Sequence, residues 1–570
     1  MKRRIVLPLL LGAGLIAVVF FMVRSVPQEV SMLLVNGVVY TLNDEQPVAE
    51  AVAIRGDRIV AVGSTAKLQA DYTSGRVIDL QGKPVYPGFT DSHAHLESLG
   101  AALMNLSLAE AASVEEIAAR VADGIKNLPP GAWLRGRGWD QNRWPTRAFP
   151  TREVLDAVAH DVPVYLTRVD GHAVWVNGKV LDIAGISAAT PDPEGGRIVR
   201  DKQGNPTGVL IDNAIDLLSS HLPPPTEEER TRAIELAVQG CLKVGLTEVH
   251  DMGVDLQGLG IYRKLIEQGR FPFRVYAAIS GAGETWEYYK KKGPDLGNGR
   301  LTVRAIKLYA DGALGSRGAA LIEPYADDPA NRGLTLLSSE EIKKVTIDAL
   351  KLGFQVCVHA IGDRANHIVL DVYEDAIKSM PDKKKTARLR VEHAQVLELG
   401  DIPRFQLLDV IPVMQPTHCT SDMEWAEDRL GPSRLGGAYA WRSLIDRGSI
   451  IPGGSDFPVE SPNPLWGYYA AITRQDHSGW PEGGWHPEQC MTREEALKAY
   501  TIWGAYAAFE EKIRGSIEPG KLADIVVLTD DIMKVAPKDI LRAGVWMTMV
   551  GGEIVYSNDL LAAGDHVRAF

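Results

Sequence analysis

A chain of 570 residues is too long for one ordinary domain, and a composition that is 45% hydrophobic supplies enough apolar surface for a large core. A formal charge of -12, with no basic stretch interleaved with aromatics, excludes a nucleic-acid-binding role. The one compact basic run, Lys383-Lys384-Lys385, reads as a solvated helix end or loop.

The first 30 residues differ in kind from the rest. Lys2, Arg3 and Arg4 precede an unbroken apolar run over residues 5–23, closed by Arg24. Signal-peptide cores take about 7–15 residues and bilayer spans about 17–25, so this run has spanning length. The positive charge ahead of it assigns the N-terminus to the cytoplasm. The expectation is a signal anchor or transmembrane helix within residues 1–30. That makes a single-pass protein of the cytoplasmic membrane, its body on the periplasmic or extracellular side, or an exported one if cleavage occurs near Ser25. Cys241, Cys357, Cys419 and Cys490 are scattered, specify no disulfide framework, and read as free thiols.

Strand-like stretches bounded by Gly, Asn and Asp follow over residues 32–42, 51–62 and 76–86, with Asn36-Gly37 and Gly56-Asp57 as hairpin turns. The same texture returns over residues 523–528 and 545–556, with a Gly551-Gly552 turn. A β-sandwich built from both chain ends, residues 31–86 and 516–570, is the simplest account. Between them, residues 87–515 alternate strands with amphipathic helices, the mark of a parallel α/β sheet. Candidate strands lie at residues 85–90, 162–167, 246–250, 303–309, 354–358, 389–391, 411–414 and 449–453. Eight such strands predict a (β/α)8 TIM-type barrel, which takes about 250 residues. The excess is expected in lid insertions near residues 97–161 and 183–225.

Chemistry-bearing residues sit at the ends of these strands. His93 and His95 are spaced i, i+2, which on a strand puts both imidazoles on one face, able to share a metal ion. Lys307, His359, His393 and Asp456 close four later strands. A barrel whose strands each end in a candidate ligand carries its chemistry at one rim. Imidazole and carboxylate oxygen suit zinc and related divalent ions, one or two of them. A lysine ammonium cannot coordinate a cation, so two readings stand for Lys307. It is an ion-pair lysine, or its amine is carbamylated by CO2 and bridges two ions. Trp139, Asp140, His172, Arg317 and His418 follow strands or lie in insertions and are candidates for substrate contact.

Several segments resemble the amidohydrolase superfamily, in the branch of amidohydrolase family 3 and N-substituted formamide deformylase-like proteins. They are Pro87-Gly88-Phe89-Thr90-Asp91-Ser92-His93-Ala94-His95, Gly138-Trp139-Asp140, and His172-Ala173-Val174-Trp175-Val176-Asn177. Further on come Lys307-Leu308-Tyr309-Ala310-Asp311-Gly312, Val358-His359-Ala360-Ile361-Gly362-Asp363-Arg364, Glu392-His393-Ala394-Gln395 and Gly454-Ser455-Asp456-Phe457-Pro458. The resemblance implies a barrel flanked by a β-sandwich, divalent metal, and hydrolysis at a carbonyl carbon. The expected activity is hydrolysis of a C–N bond in a small amide, formamide or N-acyl substrate, with Asp456 moving the proton. An isomerase or decarboxylase on the same barrel, or a non-catalytic membrane-tethered binding protein, are the alternatives. The oligomeric state is left open, a homodimer included.

Overall fold

The computed structural model describes residues 27–558, apart from positions 129, 130, 142, 143, 170, 172, 194, 195, 220 and 298. The apolar run at residues 5–23 lies outside the described residues. Among those described, no helix is long and apolar enough to cross a membrane. The two 17-residue helices, Glu227–Lys243 and Asp363–Ser379, each bury one face and expose charged residues on the other. The expected single-pass membrane placement, and the membrane as a partner, are therefore not borne out by any described residue.

Seven parallel strands form the central sheet in chain order: β1 (Phe89–Ala94), β2 (Leu246–Val254), β3 (Arg274–Ser280), β4 (Leu301–Tyr309), β5 (Gln355–Ala360), β6 (Arg390–His393) and β7 (Ile411–Val413). They are buried along nearly their whole length, because helices cover the outer face and side chains fill the interior. A short extended segment at residues 451–454 nearly closes the barrel. Gly453 bridges Met414 beside β7, and its carbonyl accepts from Ser92 N of β1 at 2.9 Å. The crossover helices are delimited by their sequence. Ser338 and Glu341 form a capping box at the start of Ser339–Leu352, and Gly353, at φ +87°, ends that helix two residues before β5.

One expected barrel strand changes place, and one barrel strand was not expected. Residues 162–167 overlap Val164–Arg168, which belongs to a separate six-stranded sheet inserted between β1 and β2. That sheet contains Leu106–Ser107, Leu134–Trp139, Ala173–Val176, Gly196–Arg200 and Pro206–Asp212 as well, so both insertions feed one unit. The strand not foreseen is β3. A short apolar run shows that a strand is buried but not which sheet buries it.

The two chain ends make two packed sheets. Arg58–Gly63, Ala51–Arg55, Met32–Val35 and Val77–Asp79 form one. Glu553–Ser557, Val545–Val550, Ile525–Leu528, Pro84–Pro87, Val38–Tyr40 and Val48–Ala49 form the other. Leu34, Val52, Ile54, Val85, Ile525, Val527 and Met549 fill the space between. The run at residues 85–90 therefore splits at Gly88: Pro84–Pro87 stays with the sandwich and Phe89 opens the barrel.

Candidate metal centre

The side chains of His93, His95, Lys307, His359, His393 and Asp456 converge at the C-terminal rim of the barrel. One donor atom each of His93, His393 and Asp456 lies within 4.8 Å of the others, and all three residues are buried. The rings of His93 and His393 are 4.7 Å apart, and those of His359 and His393 are 4.5 Å apart.

Each imidazole has one nitrogen tied to the protein. His93 Nδ1 meets Glu392 Oε2 at 2.6 Å, His95 Nδ1 meets the Met252 carbonyl at 3.0 Å, and His393 Nδ1 meets Gln415 Oε1 at 2.7 Å. An acceptor at Nδ1 fixes the proton there and leaves Nε2 as a lone-pair donor. His93 Nε2 and His95 Nε2 lie 3.5 and 3.1 Å from Asp456 Oδ1. His359 is turned the other way, with Nε2 at 3.4 Å from the Gly312 carbonyl, so its Nδ1 is the free nitrogen. Burial lowers the basicity of His93, His359 and His393. Lys307 adds to the effect on His93 and His359, and His359 and His93 add to it on His393; His359 falls to about 4. These imidazoles are neutral at physiological pH, the form that binds metal.

Asp456 is locked to the histidine pair through the backbone, since its N–H donates to His93 O at 2.8 Å. Burial pushes its carboxyl up, but the His95, His93 and His393 rings set against it outweigh this and hold it well below the usual carboxylate range. His393, Ala394 and Asp456 have φ of 72°, 42° and 57°, the left-handed region that side chains avoid. Strain of this kind concentrates where surrounding structure forces a functional geometry.

Lys307 Nζ is buried and lies 3.1 Å from His93 Nε2. Among the described residues no carboxylate comes within 4.0 Å of it. Burial lowers the basicity of its amine. Behind His93, Glu392 is held by Arg390 at 2.7 and 3.0 Å, and Arg390 also donates to Ser92 O at 2.6 Å and to His250 Nδ1 at 2.9 Å. Three neutral imidazoles and a histidine beside one carboxylate fit a divalent cation of the zinc type.

The five candidates for substrate contact fare differently. His418 belongs to the cluster: its ring stacks on His393 at 5.9 Å, and Nε2 lies 3.9 Å from Asp456 Oδ2. Trp139 is fully buried in the core of the inserted sheet, and its indole donates to Leu166 O. Asp140 pairs with Arg168 at 2.6 Å, and Arg317 pairs with Asp327 at 2.8 Å. His172 lies outside the described residues. Sequence reasoning passed over Gln415, Arg390 and Tyr309. For Tyr309 a signal existed: it stands i+2 from Lys307 at a strand end, the same spacing as His93 and His95.

A model described as the amidohydrolase family matches residues 76–556. The chain belongs to that family. A second model, of a bacterial imidazolonepropionase-like composite domain, matches residues 51–73 of the sandwich. This amidohydrolase is 36% identical to the Bacillus subtilis protein YtcJ, whose name places it among amidohydrolases, over 91% of this chain and 98% of that one. It is 30% identical to the N-substituted formamide deformylase of Arthrobacter pascens, over 92% and 98%. A solved structure of an uncharacterized metal-dependent hydrolase from Pyrococcus horikoshii superposes with a TM-score of 0.76 at 28% identity, covering 89% of this chain and 99% of that one.

Proposed function

We propose that this amidohydrolase is a metal-dependent hydrolase that cleaves the C–N bond of a small amide, formamide or N-acyl substrate. The observation that carries the reading is the Asp456 carboxylate, pinned by its own backbone to His93 and set 3.1 and 3.5 Å from Nε2 of His95 and of His93. The likeness to a metal-dependent hydrolase and to a formamide deformylase supports the metal and the bond class. His93, His95, His359, His393 and Asp456 would hold the ion. A divalent ion there supplies Lewis acidity, lowering the pKa of water towards about 7 and polarising a carbonyl oxygen.

The chain's own groups do the rest. Asp456 remains ionised, and with Oδ1 turned to the histidines its Oδ2 takes a proton from the attacking water. The same oxygen then returns that proton to the departing nitrogen, so the amine leaves neutral. Carbamylation of Lys307 would turn its amine into a carboxylate able to help hold divalent metal, because an ammonium buried against imidazole, with no carboxylate within 4.0 Å among the described residues, is disfavoured.

The test is metal analysis of the purified chain, followed by amine release from a panel of N-formyl and N-acyl amines, with chelator and with zinc or manganese restored. Asp456→Asn should lower turnover by about 10²–10⁴. Full activity in chelator, or unchanged turnover in that variant, would refute the proposal. Lys307→Ala should lose metal and activity together, with short carboxylic acids restoring part of both; a variant that keeps the full metal complement would leave Lys307 an unmodified amine.

A further inference from the structure

One polar side chain at the rim has a hydroxyl with no hydrogen-bond partner among the described residues and no role in the proton path. Tyr309 ends β4, and its i+2 relation to Lys307 turns it towards the barrel axis. Its ring lies over the Lys307 amine at 4.9 Å and stands 5.7 Å from the ring of His359. The hydroxyl reaches across the mouth to β2, where a Cβ added at Gly253 would lie 3.5 Å from it. Gly253 follows Met252, whose carbonyl holds His95. The tyrosine thus spans the cluster from the Lys307 side to the His95 side.

Gly253 makes this span possible. The pairing of β2 with β3 slips between Met252 and Val254, and Gly253 takes φ +83°. That is a bulge, a device that re-aims backbone beside active sites. Gly253 also lines an open pocket of about 230 Å³ together with His95, Ser98, Met252 and Val254.

Tyr309 is 41% exposed, although its ring is packed against the buried Lys307 amine and the His359 ring. Among the described residues its hydroxyl has no hydrogen-bond partner, whereas Tyr262, Tyr325 and Tyr373, buried elsewhere in the barrel, all donate to protein oxygens. Beside it the loop after β4 returns: Leu336 N donates to Ala310 O at 2.8 Å, and Thr335 bridges Asp311. This sets Leu334 and Leu336 next to the mouth with 72% and 60% of their surface exposed.

We propose that Tyr309 contacts the substrate directly, its hydroxyl donating to the oxygen of the scissile carbonyl while its ring, Leu334 and Leu336 receive an apolar or aromatic substituent. The inference rests on the amide reading above. Asp456 and Glu392 are acceptors once ionised and cannot serve a carbonyl oxygen that gains negative charge. A phenol positioned over the cluster can, and a donor aimed at developing charge acts mainly on the transition state. The substrate class that follows is an amide with a bulky apolar group on one side, in preference to a simple methyl amide.

The experiment compares the full-length enzyme, Tyr309→Phe and Leu334→Ser/Leu336→Ser on a benzyl amide and a methyl amide of the same acyl group, with metal content measured on each preparation. Tyr309→Phe should lose about 10²–10³ in kcat, with KM little changed and metal retained. The leucine double variant should cut the benzyl-over-methyl ratio of kcat/KM by roughly tenfold. Wild-type rates in Tyr309→Phe, or a rate loss that tracks lost metal, overturn the inference while the amide reading stands. A wild-type enzyme that holds metal but releases amine from no amide overturns both.

Discussion

His393 and Gln415 show how the metal centre depends on neutral partners as well as charged ones. Gln415 Oε1 fixes the proton on His393 Nδ1, while its own amide nitrogen is buried without a partner. Replacing it by Met should weaken metal binding by about 10–100-fold in chelator competition, because the ring loses its orientation. The metal-free protein should melt within a degree or two of wild type, since the change also removes an unsatisfied buried donor. A large fall in stability with unchanged affinity would contradict this. The proposed ligands His93, His95, His359, His393 and Asp456 could be found in the sequence because strand ends with imidazole or carboxylate carry a chemical signature. Gln415 and Tyr309 could not be singled out so easily, since amides and phenols occur in every kind of environment. Trp139 misled for a related reason: an aromatic-rich loop reads as a substrate wall until a second core, with Trp144 and Trp175, is there to absorb it.

At the scale of elements, the segment at residues 451–454 does the most with the fewest residues. It joins β7 to β1 and delivers Asp456, and it passes so close to His93 that a Cβ at Gly454 would lie 2.7 Å from His93 N and 2.9 Å from Asp91 Oδ1. Neither atom can move without moving the histidine pair. Gly454→Ala should therefore lower both metal stoichiometry and turnover, the latter by about 10² for a displacement near 1 Å. The helix Arg493–Ala499 backs this segment, with Ala499 O accepting from Gly453 N. Its capping-box residue Glu495 is paired with Arg442 and accepts from Thr492 N at 2.7 Å. Although burial opposes it, that pairing takes the carboxyl from 4.5 to about 2. The folded state thus prefers the ionised form, so the stabilisation is complete above pH 4.5 and disappears as pH falls towards 2. Glu495→Gln should cost about 1 kcal/mol at neutral pH, because solvent reaches the pair and screens it. The gap in melting temperature between variant and wild type should be constant from pH 6 to 8 and narrow below pH 4.5. A gap that widens in acid would reverse the sign. Elements such as these were legible as types but not as neighbours. Residues 162–167 read as a barrel strand because burial on both faces looks alike in any central strand, and β3 escaped notice for the same reason.

For the whole molecule, the question is what joins a sandwich made from distant chain ends to the barrel between them. Arg274, the first residue of β3, meets Asp524, just before the sandwich strand Ile525–Leu528, through two hydrogen bonds of 2.7 and 2.8 Å. Asp524 also accepts from Gly551 N at 2.7 Å, and both charged side chains are about 5% exposed. Nearby Arg514, almost fully buried, ties Glu248 of β2, Glu510 and Thr90 of β1 into a second knot on the same side. Hydrophobic contact alone would let two apolar surfaces slide; a bidentate guanidinium–carboxylate pair admits one register. The sequence could show that both ends share a sandwich texture, but an arginine and an aspartate 250 positions apart carry no mark of each other. The pair is expected to behave as a buried ion pair does. Asp524→Ala leaves a guanidinium stranded in the interface and should cost about 3–5 kcal/mol, whereas Arg274→Met with Asp524→Leu removes both charges and should recover most of that loss. A double-mutant cycle on thermal or denaturant unfolding checks it: strong coupling, with the double variant more stable than Asp524→Ala alone, is the expected result. Additive losses would mean that the sandwich is held by its apolar contacts and that the ion pair is incidental.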